Sequence, residues 1–168
     1  IGSHLYQELQ NQGHEVLGID LKSAAGDNIL FRSAGLRNVR NTTPRYVDFA
    51  PEYIFHMACV PRVAYSVEYP VETMENNVLA GSIVLDFARR VGSKRVIYSS
   101  SSSVVGNGNG PASPYGLQKL VTEMECKLYA ELYGVDTVGL RYFNVYSEDQ
   151  EVDGPYATAV ANWMHSIR

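Results

Sequence analysis

Between residues 53 and 143 short apolar runs alternate with longer amphipathic stretches, and few folds accept that rhythm. Tyr53-Ile54-Phe55-His56-Met57-Ala58 reads as a strand. Residues 66–91 follow as a helix, with Val71, Met74, Val78, Ile83, Val84 and Phe87 partly along one face. Arg95-Val96-Ile97-Tyr98 is a second strand, and it runs into five serines, Ser99 to Ser103. From Pro114 to Tyr133 a helix carries Leu117, Leu120, Val121, Met124, Leu128 and Leu132 at helical spacing, with Gly134 as its stop. A third strand, residues 136–143, closes the series. A βαβα succession of this kind predicts an α/β fold with a doubly wound parallel sheet, whose ligands sit at the carboxyl ends of the strands.

The chain before residue 53 begins differently. Ile1-Gly2-Ser3-His4-Leu5 enters a helical pattern at once, and Leu5, Tyr6 and Leu9 lead to a stop at Gly13. Glu15-Val16-Leu17-Gly18-Ile19-Asp20 reads as a buried strand, while residues 21–46 are irregular and rich in Gly, Asn, Arg and Thr. A parallel sheet entered through a helix lacks its first strand, and the far end stops at Ser166-Ile167-Arg168 inside another amphipathic segment. The sheet is therefore expected to be incomplete at both ends, as in a piece of a longer chain.

With 168 residues, one domain over 1–168 is the expectation. Apolar residues at 45% and charged residues at 19% exclude a disordered chain. A net charge of -4 gives no basic footprint for nucleic acid or an anionic membrane. No apolar run approaches the ~20 residues of a membrane span. Two scattered cysteines, Cys59 and Cys126, provide neither a disulfide framework nor a metal site, which suits a reducing cytoplasm. No metal is expected.

Three signals carry chemistry. In a dinucleotide-binding unit a glycine packs the first helix on its strand, and an acid about 20 residues later accepts ribose hydroxyls. Gly2 and Asp20 are 18 positions apart. Alone they serve equally well as a helix-packing glycine and a strand-end acid, and an acid at 20 would repel the 2′-phosphate of NADP. The second signal is Tyr115-Gly116-Leu117-Gln118-Lys119, which puts phenol and ammonium on one helix face. The ammonium is expected to pull the phenol down from its usual value of about 10, making a general base. A lone Tyr-x-x-x-Lys is also a common surface pair. The third is the serine run, which by itself reads by default as a flexible loop. Strand, serine and Tyr-x-x-x-Lys in that order are far more specific than any one of them.

With these stretches, and with Phe55-His56-Met57-Ala58, Val104-Val105-Gly106 and Arg141-Tyr142-Phe143-Asn144-Val145, the chain resembles the extended short-chain dehydrogenase/reductases, in their NAD-dependent nucleotide-sugar epimerase/dehydratase group. Within that group it resembles the UDP-galactose and UDP-N-acetylglucosamine 4-epimerases. The resemblance implies a Rossmann-like domain and NAD as cofactor. It makes Gly2 the third glycine of the phosphate loop and Asp20 the ribose ligand. Ala58 and Cys59 would lie along the cofactor, and Asn76 would contact it. Ser101, found by counting back five from Gly106, would be the catalytic hydroxyl, with Tyr115 as base and Lys119 as its partner and nicotinamide-ribose ligand. Ser102 would adjoin the substrate, Tyr142 and Phe143 would border nicotinamide and sugar, and Asn144 would bond the substrate diphosphate. His56, Met57 and Tyr98 read as core, and His4, His14 and His165 as ordinary helix or loop residues.

The family pattern is not matched throughout. The first strand, two loop glycines and the sugar-binding half are absent, and Val105 stands where tyrosine is usual. Only 14 positions separate Ser101 from Tyr115, and Asp20 to His56 is compressed as well. The family's dehydratases carry an Asp-Glu pair after the serine, and its decarboxylating members a glutamate nearby. Ser102 and Ser103 perform neither task.

By resemblance, then, the expected activity is inversion at C4 of a UDP-hexose or, by preference, a UDP-N-acetylhexosamine, through a transient 4-keto sugar. Tyr115 would take the 4′-hydroxyl proton, Ser101 would steady the oxygen, and NAD would be regenerated in each cycle. The alternatives are a dehydratase, reductase or oxidase on the same scaffold and a non-catalytic NAD-binding protein. The expected partners are a UDP-sugar and a second copy, paired through the helices at 66–91 and 114–133.

Overall fold

A computed structural model describes residues 1–20, 49–147 and 159–167. Three parallel strands lie in chain order: β1 (Tyr53–His56), β2 (Arg95–Ser101) and β3 (Asp136–Tyr142). The register sets His56 beside Tyr98, Tyr98 beside Gly139 and Ser101 beside Tyr142. Parallel strands share one carboxyl edge, so Met57, Ser102 and Phe143 all leave the sheet on the same side.

Helices make the crossovers. Ahead of the sheet stands α1 (Gly2–Asn11). The β1–β2 connection holds α2 (Val63–Glu68), α3 (Pro70–Met74), a π-helical turn (Glu75–Leu79) and α4 (Ala80–Val91). A 3₁₀ turn (Ser102–Val104) and α5 (Pro114–Tyr133) join β2 to β3, and α6 (Ala159–Ser166) comes last. Val84, Leu85 and Ala88 of α4 form the core with Val96, Tyr98, Cys126 and Val135. Gly139 has a steric reason: a Cβ there would run into the Tyr98 ring, so only glycine lets that ring lie across β3.

Helix α5 has clear boundaries. Ser113 caps it through its hydroxyl, which accepts from Gly116 N at 3.1 Å, and Pro114 fills the first turn without losing a bond. Gly134 ends it in the left-handed region at φ 68°. Its stripe of Leu117, Met124, Leu128 and Leu132 is exposed, and its buried residues include Tyr115, Gln118, Lys119, Thr122 and Cys126.

Several expectations are corrected. Residues 14–20 form no strand, because an extended segment becomes one only by pairing and β1 pairs only with β2 among the described residues. Val16, Leu17 and Ile19 are half-buried there. The single helix expected at 66–91 begins at Val63 and breaks at Tyr69, whose backbone Pro70 excludes from the helical region. The serine run is not a loop: β2 continues through Ser99, Ser100 and Ser101, all buried, and only Ser102 and Ser103 turn. The irregular stretch at 21–46 lies outside the described residues.

Candidate active site

The carboxyl edge gathers the chemistry. α5 starts just beyond Ser101, so its first two turns stand over the end of β2. Gly116 permits this approach: a Cβ there would lie 2.7 Å from the Ser103 carbonyl oxygen. Tyr115 and Lys119 are both buried on the inner face. The Lys119 ammonium donates to the Ser99 carbonyl at 2.7 Å and lies 5.8 Å from the centre of the Tyr115 ring. It also lies 3.5 Å from the Ser99 hydroxyl, and with three N–H groups it can still donate further into the site. The Tyr115 phenol faces the Ser101 hydroxyl, which acts to lower its pKa. Ser101 Oγ also accepts from Ser103 N at 3.2 Å, which fixes the turn after the strand. Ser101, Tyr115 and Lys119 thus form one cluster.

The electrostatics correct one expectation. Tyr115 is not drawn down by Lys119: burial, followed by the adjacent Cys59, pushes its phenol above the usual value, and only the Ser101 hydrogen bond opposes them. The ammonium is turned to the Ser99 carbonyl, and burying the phenol dominates. His56 fills the adjoining interior as expected of a core residue. Burial and then the Lys119 charge hold its imidazole neutral, down to about 4.

Of the residues expected to line a cofactor, Ala58 is exposed and Cys59 half-buried, both just past β1. Tyr142 is half-buried and donates to Met57 Sδ at 3.8 Å, so it reaches over the end of β2 toward β1. Phe143 and Asn144 follow β3 in exposed positions, and Ser102 is half-buried in its turn. Asn76 donates to the Glu72 carbonyl at 2.9 Å on its own helix. Gly2 and Asp20 are not in the buried cluster. α1 buries no residue, and a Cβ on Gly2 would meet nothing within 4 Å, so the expected packing of that glycine on a strand is absent among the described residues. Asp20 is exposed.

Four side chains behind the cluster, to which the sequence reading gave no role, hold it in place. Ser66 Oγ accepts from Tyr115 N at 3.0 Å, while Thr73, Asn77 and Gln118 form a buried chain of hydrogen bonds. The available signal was that 118 falls on the helix face shared by Tyr115, Lys119 and Thr122. Among the described residues no group of three or more His, Cys, Asp or Glu side chains is placed to hold a metal ion. No helix there is long and apolar enough to cross a membrane.

Residues 1–167 match the family described as NAD-dependent epimerase/dehydratase. This chain belongs to that family. Among curated relatives, protein CapI of Staphylococcus aureus is 33% identical over 87% of this chain and 51% of its own length. A putative UDP-glucose 4-epimerase of Methanocaldococcus jannaschii is 32% identical over 92% of this chain and 55% of its own. Among solved structures, the UDP-glucose 4-epimerase of Thermotoga maritima with UDP-glucose superposes with a TM-score of 0.86, at 30% identity. That match covers 96% of this chain and 58% of that one. The chain therefore spans about half the length of the epimerase/dehydratase relatives it matches. The CapI match runs over 171 positions yet uses 87% of this chain, so the relative has residues opposite gaps here, in keeping with the compressed spacings.

Proposed function

We propose that this chain supplies the NAD-binding, catalytic half of a UDP-sugar 4-epimerase. The observation that carries the reading is the buried cluster of Ser101, Tyr115 and Lys119 at the carboxyl edge of a parallel sheet. The family's description and the names of its relatives support it. The donor set suits the cofactor: the Lys119 ammonium can donate to ribose hydroxyls, and the small Ala58 leaves room beside the β1 edge. Bound there, the dinucleotide would supply a two-electron acceptor that returns its electrons within the same turnover. Asp20, Cys59, Asn76 and Tyr142 are proposed to contact it, with Gly2 at its phosphates.

The protein's own residues then have distinct tasks. Ser101 holds the sugar's 4′-oxygen against Tyr115. Tyr115 takes the hydroxyl proton as C4 is oxidised and returns it after the sugar has turned over. Lys119, joined by a cationic nicotinamide, must offset the burial that raises the phenol, so the base is fully competent only with cofactor bound. Ser102, Phe143 and Asn144 face the substrate in this reading, and a UDP-N-acetylhexosamine is the preferred sugar.

Elimination or decarboxylation needs a further acid or base; Glu123, the α5 carboxylate bonded to β2, has both oxygens engaged, and Glu125 turns toward α4. Glu123 accepts from Ser100 at 2.5 Å and from both Nε and Nη2 of Arg141, and Glu125 accepts from Ser82 at 2.6 Å. The exposed stripe Leu117, Met124, Leu128 and Leu132 fits a homodimer paired through α4 and α5. Nucleotide-sugar substrates and two free thiols suit the cytoplasm. As a test, the protein at its full length is incubated with NAD and each of UDP-glucose and UDP-N-acetylglucosamine, and anomeric proton NMR is recorded. A mixture of C4 epimers without accumulating 340 nm absorbance is expected. Stoichiometric reduced cofactor, or loss of water from the sugar, would reject the reading.

A further inference from the structure

The catalytic end of α5 is anchored by side chains that the proposed reaction does not use. Gln118 lies between Tyr115 and Lys119 and is 0% exposed. Its Nε2 donates to Thr73 Oγ1 at 2.9 Å, and its Oε1 accepts from Asn77 Nδ2 at 2.8 Å. The Thr73 hydroxyl in turn donates toward the carbonyls of Tyr69 and Pro70, at 3.1 and 3.2 Å. Asn77 holds Val60 from both sides: Oδ1 accepts from its N–H at 2.7 Å and Nδ2 donates to its carbonyl at 3.2 Å. Val60 directly follows Ala58 and Cys59 on the chain leaving β1.

Asn77 stands on the π-helical turn, whose wider winding shifts the face that its residues present. Buried hydrogen bonds are directional, and each is costly to leave unmade. An apolar contact at Gln118 would bury area without fixing how far α5 is rotated or advanced. The chain of bonds through Gln118 sets both, at the turn that carries the phenol and ammonium.

We propose that Gln118 is a positioning residue: through Thr73 and Asn77 it fixes the first turns of α5 against the chain leaving β1, holding the Tyr115 phenol at Ser101 and the Lys119 ammonium at Ser99. The proposal rests on the reading of Tyr115 as the base.

Gln118→Met tests it. The variant keeps an unbranched side chain and leaves Thr73 and Asn77 their other bonds, so the fold persists. Without cofactor or substrate, the Tyr115 phenolate band is isolated by subtracting the spectrum of the matching Tyr115→Phe protein. It should appear at lower pH than in the native background, because a loosened turn admits water to a phenol that burial now raises. In the loaded enzyme kcat for C4 inversion should fall about tenfold with KM little changed. Thr73→Val, which removes the acceptor for Gln118 Nε2 together with the hydroxyl's own bond to the Tyr69 and Pro70 carbonyls, should shift the band the same way by less, and adding it to Gln118→Met should contribute little more to that shift. A lowered melting temperature with the phenolate transition unmoved or raised would make Gln118 a packing residue and overturn the proposal, even in an active enzyme. A lowered transition in a protein that inverts no sugar would reject the epimerase reading and leave the positioning intact.

Discussion

Helices α4 and α5 pack on one three-stranded sheet, α4 over β1 and β2 and α5 over β2 and β3, but are held there by different chemistry. α4 buries Ala80, Gly81, Val84, Leu85 and Ala88, whereas α5 buries Tyr115, Gly116, Gln118, Lys119, Thr122 and Cys126. Apolar area stabilises a helix wherever it lands on the sheet, since that force has no direction. A buried amide, ammonium or phenol stabilises only where its partner is met. The α4 face therefore supplies stability and the α5 face supplies position. Ser99 and Ser101 belong with α5, since one lends a carbonyl to Lys119 and the other a hydroxyl to Tyr115.

Tyr115→Phe should break this contrast most sharply. It removes one oxygen from α5, and turnover is expected to fall about 10³-fold. NAD affinity by calorimetry and the melting temperature should change little. Leu85→Ala is its counterpart on α4. Leu85 is 2% exposed, so its truncation should cost about 3 kcal/mol in urea denaturation and leave kcat per folded molecule unchanged.

His56 sharpens the comparison through pH. The unfolded chain binds a proton there near 6.5, and the folded protein does not until about 4. The contribution is therefore intact above pH 6.5 and declines as pH falls toward 4, by on the order of 3 kcal/mol. Denaturation midpoints between pH 4 and 7 should trace this slope, and His56→Gln should flatten it. Ser101→Ala is expected to have the smallest effect, about tenfold in kcat. Its hydrogen bond lowers the Tyr115 phenol, so its loss should move the acid limb of the pH–rate profile upward.

What the sequence discloses depends on how local the cause is. The span of α5, its stop at Gly134 and the common face of Tyr115 and Lys119 follow from local signals, and all could be read directly. The run at 15–20 could not, because strandedness belongs to a pair of segments. The five serines looked like a loop, since hydroxyls are common in turns; their burial depends on what covers them. The two adjacent asparagines are the subtlest case. A period of 3.6 cannot say which one turns inward once a π turn has shifted the winding, and it is Asn77, not Asn76, that reaches Val60. The rise of the Tyr115 phenol was hidden for a similar reason: the charge four residues away is visible in the sequence, whereas the burial is not.

The central claim is oxidation and return at C4, performed by Tyr115 and Ser101 on a cofactor that keeps the hydrogen within the site. The most direct test is to run the C4 inversion in D₂O and read the product's C4 position by proton NMR. The account predicts that C4 keeps its original hydrogen while the hydroxyls exchange. Deuterium at C4 would mean that the carbon was deprotonated to solvent, and would contradict it.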